Sequence, residues 1–170
     1  MSSTIPPKPR TQAGQKHHIC IVASEFNETF TDALVENTID ELNEILPAAK
    51  VDLFRVPGAY EVPLATKAVL DKEKPDCVIA LGLIIRGSTA HGDLVAQSVT
   101  TSLQQLSLDH LTPVIHEVLL VDDDKQAYAR CIGSKLNRGR EAARSAAGMI
   151  EVMAEILQSK KSIRLHPRNA

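Results

Sequence analysis

The chain has no tryptophan, and aromatic residues make up only 3% of its 170 positions. Phe26, Phe30 and Phe54 are its only phenylalanines, and among them Phe26 stands just past a strand-like run. Cysteine is as scarce: Cys20, Cys77 and Cys131 lie far apart without CxxC spacing, which argues against a disulfide framework and a cysteine-based zinc motif. Two of them sit in apolar strand-like runs, where a thiol serves as a small hydrophobe. His17, His18, His110, His116 and His166 make no HExxH or other compact zinc signature, so no metal is expected. The N-terminus has no apolar signal-peptide core or membrane-length segment, and neither sign of charge dominates, with 19 basic against 21 acidic side chains and a formal charge of -2. These absences argue against nucleic acid and membrane partners and make the cytoplasm the expected location.

What is present is the pattern of one layered domain, for which 170 residues are sufficient. Residues 1–16 contain Pro and Gly and read as a flexible arm, 17–158 as the domain, and 159–170 as a basic, frayed tail. Apolar runs at 17–23, 51–56, 77–85 and 114–121 read as strands. Between the first two, 33–46 places Leu34, Thr38, Ile39, Leu42, Ile45 and Leu46 near one helical face, with Pro47 as a stop. Further helices are expected at 61–72, with Pro63 tolerated in the first turn, and at 93–108. A short one runs through Cys131 after the negative Asp122, Asp123 and Asp124, and an Ala-rich one spans 141–157. This β-α-β-α-β-α-β-α-α order, with right-handed crossovers, predicts a parallel four-stranded sheet covered by helices on both faces, a three-layer α/β/α sandwich.

Such a sheet binds ligands outside the carboxyl ends of its strands. Those ends carry Ser24-Glu25-Phe26-Asn27, Pro57-Gly58-Ala59-Tyr60-Glu61, Gly87-Ser88-Thr89-Ala90-His91 and the segment 120–122. Gly87-Ser88-Thr89 can offer amides and hydroxyls to a phosphate at a helix start, or simply make a capped turn; the spacing is neither Walker A nor GxGxxG. His91 can move a proton near neutral pH, with Asp93 close enough to influence it if the side chains converge, or it can be a surface residue. Arg86, Arg130, Arg138 and Arg140 are candidate anion ligands, whereas Arg144 is expected to be merely solvated. Residues 137–141, NRGRE, read as a segment preceding the last helix, either carrying a cation to a neighbouring subunit or forming a flexible loop. Phe26, just past a strand, suits stacking on a planar ligand, although core packing is the commoner fate of a phenylalanine.

Five landmarks join these pieces: ASEFN at 23–27, VPGAYEVP at 56–63, IRGSTAHGD at 85–93, PVIHEVL at 113–119 and NRGREAA at 137–143. In order and separation they resemble the 6,7-dimethyl-8-ribityllumazine synthase family over about 19–156. The resemblance implies a flavodoxin-like sheet of order 2-1-3-4, with the N-terminal arm able to add to a neighbouring subunit. It implies an enzyme of riboflavin biosynthesis, a transferase that condenses 5-amino-6-(D-ribitylamino)uracil with 3,4-dihydroxy-2-butanone 4-phosphate. The substrates join through an imine, inorganic phosphate leaves, and the second ring closes and dehydrates, with no cofactor or metal. Phe26 would stack on the pyrimidine, with Asn27, Ala59, Tyr60 and Glu61 around it. Glu61 would contact ribityl hydroxyls and the backbone of Leu83, Ile84 and Ile85 would read the ring edge. Ser88, Thr89 and Arg130 would hold phosphate, and His91 would transfer protons.

The resemblance further implies a homopentamer with sites between adjacent subunits, to which His116, Arg130 and Arg138 are supplied from the neighbour. Decamers and sixty-subunit icosahedral shells are open assemblies, and riboflavin synthase is a candidate protein partner. Several positions depart from the family pattern: Gly92 stands where phenylalanine is usual, His116-Glu117 replaces Phe-Gly, Arg138 replaces lysine, and Leu120 replaces a small polar residue. Gly92 removes an aromatic wall and loosens the chain beside His91, and His116 brings an ionisable ring toward the pyrimidine. These departures motivate an alternative, a non-catalytic pyrimidine- or flavin-binding shell protein of the same fold. A flavodoxin-like electron carrier is a weaker third reading.

Overall fold

The computed structural model describes residues 5–12 and 14–158. The basic tail expected at 159–170, with His166, lies outside the described residues. The elements follow the order β1 (His18–Ser24), α1 (Glu28–Ile45), β2 (Lys50–Val56), α2 (Val62–Glu73), β3 (Cys77–Ile85), α3 (His91–His110), β4 (Val114–Val121), α4 (Asp124–Cys131) and α5 (Arg138–Gln158). A single 3-10 turn, Ala59–Glu61, leads into α2.

All strand pairs are parallel, as the element pattern predicts, and the sheet order is β2-β1-β3-β4, as the resemblance implies. The central strands β1 and β3 read as near-continuous apolar runs because both their faces are covered. Ile19, Ile21 and Ala23 of β1 and Ile79, Leu81 and Leu83 of β3 pack with α1 and α5, while Cys20, Val22, Val78 and Ala80 pack with α2 and α3. Among the described residues the buried core is made of aliphatic side chains and the three cysteines, with no aromatic, in keeping with the scarcity of that class.

Helix α5 approaches α1 closely because its inner face carries Ala142, Ala143, Ala146 and Ala147, all essentially buried. At its first turn a Cβ on Gly139 would stand 2.6 Å from the Leu34 carbonyl oxygen, so only glycine fits. Thr38 Oγ1 donates across this contact to the Gly139 carbonyl at 3.1 Å.

Three helix starts differ from the expected ones. Helix α1 begins at Glu28, five residues before the expected start, because Asn27 enters it with a left-handed backbone (φ 63°) that asparagine tolerates. Thr31 is buried, and Phe30 packs against the core beside it. Helix α3 begins at His91, and α5 already at Arg138. Residues 138–141 of the NRGRE segment are therefore helical rather than a flexible loop. Asn137 Oδ1 caps it by accepting from the Arg140 amide at 3.0 Å, and its Nδ2 donates to the carbonyls of Gly133 (3.2 Å) and Cys131 (3.3 Å).

Arg144 also departs from expectation, because it is a connector. Its Nε donates to Glu41 at 2.7 Å and its Nη1 to the Pro6 carbonyl at 2.6 Å. With the Gln12 amide bonded to the Ile45 carbonyl at 2.9 Å, and Lys8 paired with Glu44, the described part of the N-terminal arm lies along α1 of its own chain. Among the described residues no helix is long and apolar enough to cross a membrane.

Candidate active site

The carboxyl ends of β1, β2 and β3 open into a cleft of about 390 Å³. Phe26 follows β1, held by main-chain bonds from Glu25 to Val56 (2.7 Å) and from Phe26 to Pro57 (3.0 Å), which leave its ring 71% exposed at the lip. Asn27 turns inward, and its Nδ2 donates to the Leu83 carbonyl at 2.9 Å, tying the end of β1 to β3. Ala59, Tyr60 and Glu61 come from the 3-10 turn, and Tyr60 is 63% exposed. Gly58 leaves room there, since a Cβ on it would stand 2.9 Å from Glu61 Oε2.

Leu83, Ile84 and Ile85 form the floor, and Thr89 and His91 close the side under the first turn of α3. The His91 amide donates to Thr89 Oγ1 at 3.4 Å. Helix starts carry partial positive charge and free amides, so this wall favours an anion. Ser88 is exposed beside Thr89 but does not line the cleft. Gly92 lies within the first helical turn against Ile84 rather than in a loosened loop. Sequence reasoning did not anticipate Val95 as a lining residue, because its place follows from the helix beginning two residues early.

His116, Arg130 and Arg138 are elsewhere. They line a second, wider cleft of about 1060 Å³ between α3, β4, α4 and α5. Helix α3 divides the two: His91, Gly92 and Val95 face the first, and Asp93, Ala96, Gln97, Thr100 and Thr101 the second. Period 3.6 makes this possible, because residues one or two apart point to different sides of a helix.

The second cleft is internally bonded. Arg86 donates to Asp93 through Nε (3.1 Å) and Nη2 (2.9 Å) and also pairs with Asp122, so Asp93 serves Arg86 rather than His91. These contacts hold both Asp122 below its ordinary pKa and Arg86 above its own. Arg138, nearly buried, pairs with Glu141. Arg130 Nη1 donates to the Gln126 carbonyl at 3.1 Å. On β4 the alternation turns His116 toward α3 and Glu117 toward α5.

His116 Nδ1 accepts from the Val118 amide at 3.1 Å, which leaves Nε2 to carry the proton and donate to Thr100 Oγ1 at 2.7 Å. Burial lowers its pKa, favouring this neutral form. Burial, reinforced by the nearby Glu141 charge and opposed by Arg138, pushes the Glu117 carboxyl up to about 8.

The geometry sits beside clear relatives. The family model for 6,7-dimethyl-8-ribityllumazine synthase matches residues 16–154. A 6,7-dimethyl-8-ribityllumazine synthase of Paracidovorax citrulli is 40% identical over 144 residues, 84% of this chain and 91% of that protein. One from Methylibium petroleiphilum is 38% identical over 84% of this chain and 88% of its own length. One from the archaeon Thermococcus kodakarensis is 36% identical over 86% and 93%. Neither the non-catalytic shell protein nor the electron carrier is favoured by these likenesses. On the match across most of its length, the chain belongs to the 6,7-dimethyl-8-ribityllumazine synthase family.

Proposed function

We propose that the chain runs the family's lumazine-forming condensation in a chamber made by two copies, with the first cleft of one closed by the second cleft of its neighbour. Phe26 stacks on the pyrimidine of 5-amino-6-(D-ribitylamino)uracil, Glu61 takes ribityl hydroxyls, and the main chain of Leu83, Ile84 and Ile85 meets the ring edge. Ser88, Thr89 and the α3 N-terminus hold the phosphate of 3,4-dihydroxy-2-butanone 4-phosphate. Arg130 from the neighbour completes that anion site, with Arg138 and His116 on the same wall.

The observation that carries this reading is the division by α3. His91 and Arg130 line clefts that share no residue, so one chain does not bring its proton-transfer group and its phosphate cation to the same cleft. A closed ring of identical subunits solves this by a repeated head-to-tail contact, and a pentamer is the proposed unit. The reaction needs orientation of two substrates, neutralisation of a leaving phosphate and several proton transfers, all of which this set of groups can supply. Decamers and sixty-subunit shells would be built from that unit, and the cytoplasm is the proposed location.

The test is a mixture of purified protein with both substrates, followed by lumazine absorbance and phosphate release together. Coupled appearance of both, lost in Arg130→Ala, supports the proposal. Substrates left intact by correctly assembled protein would overturn it in favour of a pyrimidine-binding shell protein.

A further inference from the structure

At the amino ends of the strands, opposite the clefts, four polar side chains converge on the α2-facing side of the sheet. His18 and Cys20 alternate onto one face of β1, and the parallel register sets Lys50 beside His18 and Asp52 beside Cys20. His18 Nε2 lies 2.7 Å from Asp52 Oδ2 and 3.5 Å from Cys20 Sγ. One ligand atom from each of His18, Cys20 and Asp52 falls within 4.8 Å of the others. The position already attracts a cation: Lys50 Nζ sits 2.5 Å from Asp52 Oδ2 and 3.5 Å from His18 Nε2.

We propose that His18, Cys20 and Asp52 form a binding site for one zinc-class divalent cation, which replaces the Lys50 ammonium. Imidazole, thiolate and carboxylate are the ligand types that zinc takes, and three protein ligands leave a fourth position for water. Atoms bound tetrahedrally to zinc stand roughly 3.3–3.5 Å apart, given bond lengths of about 2.0–2.3 Å. The Cys20–His18 separation of 3.5 Å already matches, and the His18–Asp52 pair has only to open by a rotation of the carboxylate. Cys20 is fully buried, whereas the Lys50 side chain is 64% exposed and free to swing outward, so the ion enters from the Lys50 side.

Binding releases the Cys20 thiol proton to water, and the metal then cross-links β1 to β2. His18 and Cys20 stand two positions apart but Asp52 lies 34 positions beyond His18, so the ligands carry no compact motif and the pattern of histidines and cysteines does not reveal them.

Titration of the untagged full-length chain with Co2+, followed in the near-ultraviolet and visible, tests the site. The expected result is a thiolate-to-cobalt charge-transfer band with four-coordinate d–d bands. The band should be lost in Cys20→Ser, the affinity weakened more than about 100-fold in Asp52→Asn, and the affinity raised in Lys50→Gln, which removes the competing ammonium. Zn2+ should displace the cobalt and raise the midpoint of thermal unfolding. A thiolate band absent from both the unsubstituted protein and Lys50→Gln would overturn the proposal, as would a band that survives in Cys20→Ser.

Discussion

The two clefts on either side of α3 are built on opposite principles. In the first, Phe26 and Tyr60 stand largely exposed, and the bonds around them are mostly main-chain. In the second, most polar groups already have a partner, with Arg86 on Asp93 and Asp122, Arg138 on Glu141 and neutral His116 on Thr100. An exposed aromatic lip costs the free chain little structure and is available to a planar ligand. A cation already bonded to carboxylates offers an incoming anion less net charge, so within the second cleft Arg130, which donates to the neutral carbonyl of Gln126, keeps most of its field. The contrast fits the proposed chamber, in which the first cleft would recognise substrate and the second would contribute a cation to the neighbour's phosphate site.

The largest expected effect comes from removing that cation. Arg130→Ala should lower kcat/KM about 100- to 1,000-fold, the cost of losing one preorganised stabiliser of developing charge, while circular dichroism stays unchanged. Next, His91→Ala should reduce kcat about 100-fold with little change in KM, as loss of a proton-transfer group does. A proportional rise in KM alone would move His91 to a binding role. Phe26→Ala should raise KM for the pyrimidine substrate about 10-fold without lowering thermal stability, since the ring is 71% exposed.

Within the second cleft, Arg86→Gln frees Asp93 and Asp122 and should slow turnover about 10-fold by misplacing the α3 start. Because its ion pairs are exposed, the midpoint of denaturant unfolding should hardly move. Glu117→Gln should have the smallest effect on activity and a pH-dependent one on stability. Its carboxyl titrates near 8 when folded against 4.5 ordinarily, so the unfolded chain gives up this proton first and stability falls as pH rises between those values. The glutamine variant should match the parent below about pH 4.5 and exceed it by a growing margin as pH rises toward 8 in urea unfolding. Equal stabilities at both pH values would show that Glu117 ionises freely.

Much of this was legible in the residues. Apolar runs marked all four strands to within a residue or so, and the residues just past β1, β2 and β3 did collect in one cleft, because parallel topology points those ends the same way. The helix starts were less legible. Asn27 enters α1 through a left-handed turn rather than as an extended cap, and the cap of α5 is a buried Asn137 ahead of two arginines and a glycine that look loop-like in sequence. Arg144 looked solvated because its partners, Glu41 and the Pro6 carbonyl, lie more than a hundred positions away. The separation of Arg130 from His91 depends on which side of α3 each packs, and the resemblance to the family, rather than periodicity, supplied it.

The central claim is that each reaction chamber draws His91 from one copy and Arg130 from its neighbour. Co-refolding His91→Ala and Arg130→Ala chains in equal amounts tests it most directly, each variant alone being expected to keep about 1% of the parent activity or less. A shared chamber predicts recovery to roughly a quarter of the parent activity, because a random ring places an intact His91 beside an intact Arg130 at about one interface in four. No recovery at any mixing ratio, in assemblies shown to contain both chains, would contradict it and return both residues to a single subunit's site.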